Sequence, residues 1–289
     1  MSKNNIYLIM AMITAMISWG ISWPAAKIVG QYANPESLIA WRFFFGLIPM
    51  IFIMTALKVP LSLNGEALKY ILAASFLIIF YNYNYLKGSQ IGISGLGGVI
   101  VPTVSPIVTF ILSALFFKKK LKKNGIYGLV LGLCGSVVLV NIWEKNPNAT
   151  IDTGSIYFFL GAISWSLITI LTQKSDKILN PINFSFWVYS FGCVLALAFY
   201  PGYGSLNIFS YELRFWINFL LISSIALGLG TTVYFYVTMK LGSRKASSFM
   251  FVVPFSAIIS SSIFLDEAIS MTAIIGGAMT ISAVYLINK

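Results

Sequence analysis

The chain is predicted to be an all-α, polytopic membrane protein of ten transmembrane helices, arranged as two inverted five-helix repeats. Three observations carry this. Its 289 residues are 58% hydrophobic and only 9% charged, too little charge to cover a soluble surface. Apolar windows of about twenty residues recur from end to end, the length a helix needs to cross the hydrocarbon core. Finally, part of the first half returns 146 residues later: Trp19 with Trp165, Pro35 with Pro181 and Trp41 with Trp187. Ile17, Ser18, Asn34, Phe45 and Gly46 recur at the same offset.

The windows read in order as 6–27, 35–57, 67–86, 92–117, 125–143, 154–173, 182–201, 214–239, 245–265 and 269–287. The first is read as a span and not as a cleaved leader. It holds Trp19, Trp23 and Pro24, shows no clear small-residue cleavage site, and is one copy of the repeat. Trp19, Trp23 and Lys27 stand four apart, so they share a helix face. In the second window Arg42 sits inside the span, and intramembrane arginine is a functional candidate. It can bind an anionic group or lock a helix through backbone carbonyls, and its repeat partner is Val188. The third window ends in IIFYNYNYLKGSQ (78–90), where Asn82, Tyr85 and Lys87 make a polar-aromatic patch. An asparagine there has to face the bundle interior or water.

The fourth window contains GISGLGGVIVPTVSP (92–106). Glycine and proline inside a span allow either a broken helix or close packing through small residues. Pro102 and Pro106, with Pro254 of the ninth window, are candidate break points for access switching. Gly128, Gly132 and Gly135 line one side of the fifth window, a small-residue face that seats a helix of this chain or of a second protomer. In the sixth window Trp165, Thr169 and Gln173 repeat the stripe of Trp19, Trp23 and Lys27. Two related stripes suit a central cavity; interfacial tryptophans with a snorkelling lysine are the alternative. The eighth window echoes the third through GTTVYFYVTMK (230–240), with Tyr234.

A second offset, 148, pairs Pro106 with Pro254 and Phe116 with Phe264. It sets FFKKKLKK (116–123) against IFLDEAIS (263–270), so the charge changes sign between equivalent loops. With the N-terminus in the cytoplasm, fourteen of the nineteen Lys and Arg fall on cytoplasmic segments. That is the positive-inside bias, and it predicts both termini in the cytoplasm. Five spans per half then invert the second repeat, so the repeats are expected at 1–146 and 147–289, joined by a short polar hinge at 141–154. An internal repeat of this kind suggests a transporter with its site between the halves.

The same placement of charge excludes a nucleic-acid partner: the net +11 holds topology and touches anionic lipid. The chain has no histidine and two cysteines, Cys134 and Cys193, both within spans, so packed thiols are expected and no metal or cofactor. No nucleophile–base pair or phosphate loop supports an enzyme. No carboxylate stands clearly mid-span, whereas Lys27, Arg42 and Lys87 are positive. This favours zwitterionic, anionic or neutral ligands over cations.

On these residues the chain resembles the drug/metabolite transporter superfamily, specifically the EamA-type ten-helix exporters. The resemblance rests on ISWGISWPAAK (17–27), Pro35, Arg42, Pro106 and Pro254 ahead of span ends, LDE (265–267), and Gly276 with Gly277. It covers essentially the whole chain, as two copies. It implies five-plus-five inverted repeats, alternating access and export of small metabolites, amino acids among them. Two departures are Lys119, where an acidic residue is usual, and Lys87, where the family is generally neutral.

The expectation is therefore a multi-pass carrier of a bacterial inner membrane, monomer or homodimer, exporting amino acids or similar zwitterions. A broad-specificity drug exporter is the alternative within transport, and a non-transporting membrane scaffold or sensor the alternative outside it. The expected substrate-binding residues are Trp19, Trp23, Lys27, Arg42, Asn82, Tyr85, Trp165, Thr169, Gln173 and Tyr234.

Overall fold

The computed structural model describes residues 3–118, 122–140, 154–199, 206–265 and 270–289. All of the expected hinge at 141–154 except Gly154, together with Lys119, Asp266 and Glu267, lies outside the described residues. Among those described, the helices form ten rods. They are α1 (Lys3–Val29), α2 (Pro35–Ala56), α3 (Gly65–Ile91), α4 (Ser94–Phe117), α5 (Lys123–Val140), α6 (Ser155–Lys174) and α7 (Pro181–Ala198). Next come α8 (Leu213–Leu241), α9 (Ser243–Ser248, Phe249–Phe251 and Val252–Leu265) and α10 (Met271–Asn288). Seven of these are long and apolar enough to cross a membrane, and α5 is a shorter apolar helix. Of the other two, α3 is long but less apolar, ending in a polar-aromatic stretch, and it turns Asn82, Asn84 and Ser89 inward, each buried. In α9 the 3-10 turn Phe249–Phe251 interrupts the apolar run.

Local chemistry sets several starts. Asn180 Oδ1 accepts from Ile182 N (2.9 Å) to cap α7, Asn34 holds the same position before α2 without a side-chain bond, and Pro35 and Pro181 come next. There a proline loses no hydrogen bond, because the first N–H of a helix is unpaired in any case. Asn64 Oδ1 accepts from Glu66 N (2.9 Å) at the start of α3, and Ser270 Oγ from Ala273 N (3.1 Å) at the start of α10.

Packing follows a pseudo-two-fold exchange of the halves. α3 lies on α6 as α8 lies on α1, and α4 lies on α6 as α9 lies on α1. α2 packs on α7, and α5 on α10, across the exchange itself. Repeated residues make twin bonds. Trp41 Nε1 donates to Leu206 O (2.7 Å), holding the segment before α8. Its counterpart Trp187 donates to Ser62 O (2.8 Å), holding the segment before α3. An odd number of rods per half turns the second repeat over relative to the first.

The glycine face of α5 seats α10 of the same chain. A Cβ on Gly135 would stand 3.0 Å from Gly276 O, and one on Gly276 2.6 Å from Leu139 N. Backbones this close are what small residues permit.

Of the two readings open for α4, a broken helix or close packing through small residues, the structure takes the second. α4 runs unbroken through Pro102 and Pro106. Gly97 serves close approach: a Cβ there would stand 2.4 Å from the Trp23 ring and 2.6 Å from that of Phe158. The irregular helix is α8, whose middle (Leu221–Thr231) is π-helical. In α9 the irregular turn precedes Pro254, which lies in the first turn of the α-helical part, Val252–Leu265.

Candidate functional site

A cavity lies where the halves meet. Its walls come from α1 (Trp19, Ser22, Trp23), α2 (Arg42), α3 (Tyr81, Tyr85) and α4 (Val101, Pro102). The second half adds Trp165 of α6 and residues of α8 and α9, including Thr231 and Met250. The free volume among these side chains is about 20 Å³, room for about one water molecule.

Aromatic rings fill the middle. Trp19 and Trp165, the two copies of one repeat position, meet edge to face at 4.9 Å. Tyr234, which is not among the lining residues, lies 5.3 Å from each, and Tyr81 lies 4.8 Å from Trp165. Trp23 meets Tyr85 at 4.8 Å and Phe158 at 5.7 Å. Tilted and edge contacts of this kind suit ring quadrupoles and add to area burial. Thr169 does not line the cavity. Its Oγ1 bonds its own helix at Trp165 O (2.8 Å) and pairs with the Tyr234 hydroxyl (2.9 Å), fixing that ring from behind.

Arg42 is the charged residue among those that line the cavity. It is 5% exposed. Its Nε donates to Ile222 O (3.2 Å), and the guanidinium carbon lies 4.7 Å from the centre of the Tyr85 ring. Its Nη1 is buried without a hydrogen-bond partner.

The π-helical segment of α8 forms one wall, and neighbouring side chains hold it, two of them from the cavity lining. Ile222 O takes Arg42, Ala226 O takes Trp19 Nε1 (3.0 Å), and Leu227 O takes the Tyr189 hydroxyl (3.0 Å). These three donors come from three different helices. π-helical turns occur often at functional sites.

Three expected site residues stand elsewhere. Lys27 is half-buried at the end of α1, where Nζ donates to Gln90 O (3.0 Å) and Gly92 O (2.9 Å). It caps the C-terminus of α3, whose carbonyls favour a cation. Gln173, its repeat counterpart, accepts from Ser243 N (2.8 Å) and so caps the start of α9. It borders a separate cleft lined by Lys122, Asn124, Arg244, Lys245 and Lys289. The two residues clamp equivalent turns, α3–α4 and α8–α9, with opposite hydrogen-bond polarity. Asn82 is buried but outside the cavity lining, with Nδ2 donating one turn back to Ile78 O (2.6 Å). Pro102 lines the cavity; Pro106 and Pro254 do not.

Sequence reasoning missed Tyr81 and Tyr189. Tyr81 stands one turn before Tyr85 in YNYNY, on the same face, so its signal was periodicity. Tyr189, outside the cavity lining, is the repeat partner of Phe43 (189−43 = 146), and the sequence carried no signal for it.

Known proteins share this architecture. The EamA-like transporter family matches twice, over residues 6–141 and 152–289. The uncharacterized transporter YoaV of Bacillus subtilis (strain 168) is 24% identical over 281 residues, covering 96% of each chain. The uncharacterized transporter YvbV of the same organism is 25% identical, over 99% of this chain and 92% of that one. The chloroplastic WAT1-related protein At3g02690 of Arabidopsis thaliana is 27% identical, over 96% of this chain and 68% of that one. A solved structure superposes with a TM-score of 0.76 at 15% identity, covering 97% of this chain and 96% of the other. With both halves matched by the family model, the chain belongs to the EamA-like transporter family.

Proposed function

We propose that this membrane transporter is a secondary carrier that exports small metabolites by alternating access, with amino acids or similar zwitterions as substrates. The observation that carries the reading is the cavity at the junction of the halves, built from seven helices, four of one repeat and three of the other. Its walls offer aromatic faces for an apolar body and one guanidinium for a carboxylate. The repeats, 1–146 and 147–289, rock against each other around it and open it to one side at a time. The cavity is nearly filled by rings, which fits a closed arrangement. The carrier sits in a bacterial inner membrane with both termini in the cytoplasm, on the side favoured by the basic segments.

Counterflow into proteoliposomes, with labelled amino acids and with or without a pH gradient, tests this. Accumulation of one amino acid or a few is expected, and its response to the gradient identifies proton coupling. No accumulation by folded protein would reject amino acids as substrates. Accumulation of chemically unrelated drugs instead would favour the broad-specificity exporter.

A further inference from the structure

We infer that the bundle carries a binding site for an anionic phospholipid: its phosphate lies in the basic cleft at the α8–α9 turn, and an acyl chain lies in the apolar groove beside it. The site is separate from the central cavity and does not depend on what the protein carries.

Charge is the first observation. Lys122 ahead of α5, Arg244 and Lys245 of α9, and Lys289 after α10 line one cleft of about 510 Å³. The three lysines are exposed. Arg244 is half-buried, with its guanidinium carbon 5.7 Å from the centre of the Phe110 ring. Among the described residues no Asp or Glu lines the cleft, and a carboxylate closing the chain at Lys289 would offset only one of the four cations. Glu144, Asp152, Asp266 and Glu267 lie outside the described residues, but each is tied to a helix end remote from the cleft. The helices Lys123–Val140, Ser155–Lys174 and Ser243–Leu265 are roughly 27, 30 and 35 Å long at about 1.5 Å per residue. Glu144 follows Val140 by four residues, Asp152 precedes Ser155 by three, and Asp266 and Glu267 come directly after Leu265. Four extended residues reach back about 14 Å at most, so these carboxylates do not neutralise the cleft.

Continuity is the second observation. An apolar groove of about 600 Å³ runs between α1, α9 and α10, and Leu241, Lys245 and Lys289 line both it and the cleft. Ile13, Ile281 and Tyr285 of its walls are exposed, so it opens on the outside of the bundle, where a bilayer places acyl chains. Lys245 stands at the seam. Its Nζ donates to Asn288 O (3.1 Å), and an ammonium has two further donors to offer a phosphate. Tyr285 suits the same depth, since tyrosine gathers at the level of the headgroups. A soluble anion would use the cleft alone; a phospholipid uses both cavities. On the topology proposed above, this end of the bundle faces the cytoplasmic leaflet, which carries anionic lipid.

The test uses purified full-length protein in detergent, with native mass spectrometry to count bound lipid and thermal melts to rank affinity. The probes are dioleoyl phosphatidylglycerol, dioleoyl phosphatidylcholine (the same chains without net charge) and glycerol 3-phosphate (a phosphate without chains). One phosphatidylglycerol should bind, at least about tenfold more tightly than either of the others, the scale of two cations at a headgroup. Lys122→Gln with Lys245→Gln should weaken it by a similar factor; both side chains are exposed, and the wild-type series decides in any case. Lys69→Gln with Lys177→Gln, two exposed lysines at the same end but outside the cleft, should change it by less than about twofold. Ile281→Trp, which fills the groove, should weaken phosphatidylglycerol and leave glycerol 3-phosphate unaffected. Equal binding of the two lipids, or equal loss in the two double variants, would overturn the site in favour of diffuse attraction. Glycerol 3-phosphate binding as tightly as phosphatidylglycerol would overturn the lipid assignment and give the cleft to a soluble phosphate ester. A dimer without lipid would give the groove to a second copy and overturn it too, as would protein that retains no lipid at all.

Discussion

Replacing Lys27 with methionine separates a structural clamp from a substrate ligand. Methionine keeps most of the apolar stem and removes the ammonium. Two hydrogen bonds go, at 3.0 Å to Gln90 O and 2.9 Å to Gly92 O. Bonds to a charged donor contribute about 1.5–3 kcal/mol each. The lysine is half-buried, so water can reach the released carbonyls, and the freed side chain regains about 2 kcal/mol of rotamer entropy. A net loss of roughly 1–2 kcal/mol follows from these opposing terms. At about 2–4 °C per kcal/mol for chains of this size, the melting temperature in detergent should fall by roughly 2–8 °C. The α3–α4 turn is not lost outright, because Gln90 Nε2 still binds Gly30 O (2.7 Å) and Ala33 O (2.9 Å). Ligand affinity of the folded variant should stay within about twofold, less than half a kcal/mol. The assay is a thermal melt of the detergent-solubilised protein beside a ligand titration. An unchanged melting temperature with affinity lowered tenfold would refute the clamp and return Lys27 to the binding site.

Other substitutions probe the rest of the architecture. Trp19→Phe removes the bond to Ala226 O at 3.0 Å but keeps a ring against Trp165; counterflow should slow several-fold while the protein elutes as a single folded species. Gly97→Leu drives a side chain into the rings of Trp23 and Phe158; overpacking of about 1–3 kcal/mol should lower the melting temperature and shift tryptophan fluorescence. Gly276→Val, set against Leu139 N and Gly135 O, should separate α5 from α10; the fold should lose stability without a change in oligomeric state by light scattering. The exposed Tyr32 hydroxyl donates to Glu212, and that bond, the largest cause, raises the tyrosine pKa above its usual value near 10. A raised folded-state pKa means the contact stabilises at lower pH and is lost as pH climbs through the raised value. Alkaline melts of wild type should therefore steepen above about pH 10 relative to Tyr32→Phe.

Residues whose role depends on local order are legible in the sequence itself. Asn180 and Pro181 start a helix because of what those side chains do to their own backbone, and Pro35 acts in the same way at α2. Trp19 and Trp165 are expected to face each other because an offset of 146 makes them equivalent in an inverted pair, and equivalent inward-facing residues meet near the axis. Lys27 and Gln173 are misplaced by sequence for a related reason. Spacing puts them on the right faces, but those faces continue past the cavity to the helix ends, where the nearest polar groups are turn backbone.

Composition alone determined that the chain belongs in a bilayer, and the repeat alone determined that it has two related halves. Periodicity determined the inward turn of Trp19, Trp23 and Trp165. Tertiary structure alone decided the irregularity of α8 and the state of Arg42. A π-helical segment is held here by donors from α1, α2 and α7, up to 207 positions away in sequence. No local pattern encodes such partners. Whether a buried guanidinium serves as a lock or as a ligand site depends on which of its nitrogens are used. In Arg42 one edge locks the π-segment through Ile222 O, and Nη1 has no hydrogen-bond partner. Only the packing of helices distant in sequence could divide the group in that way.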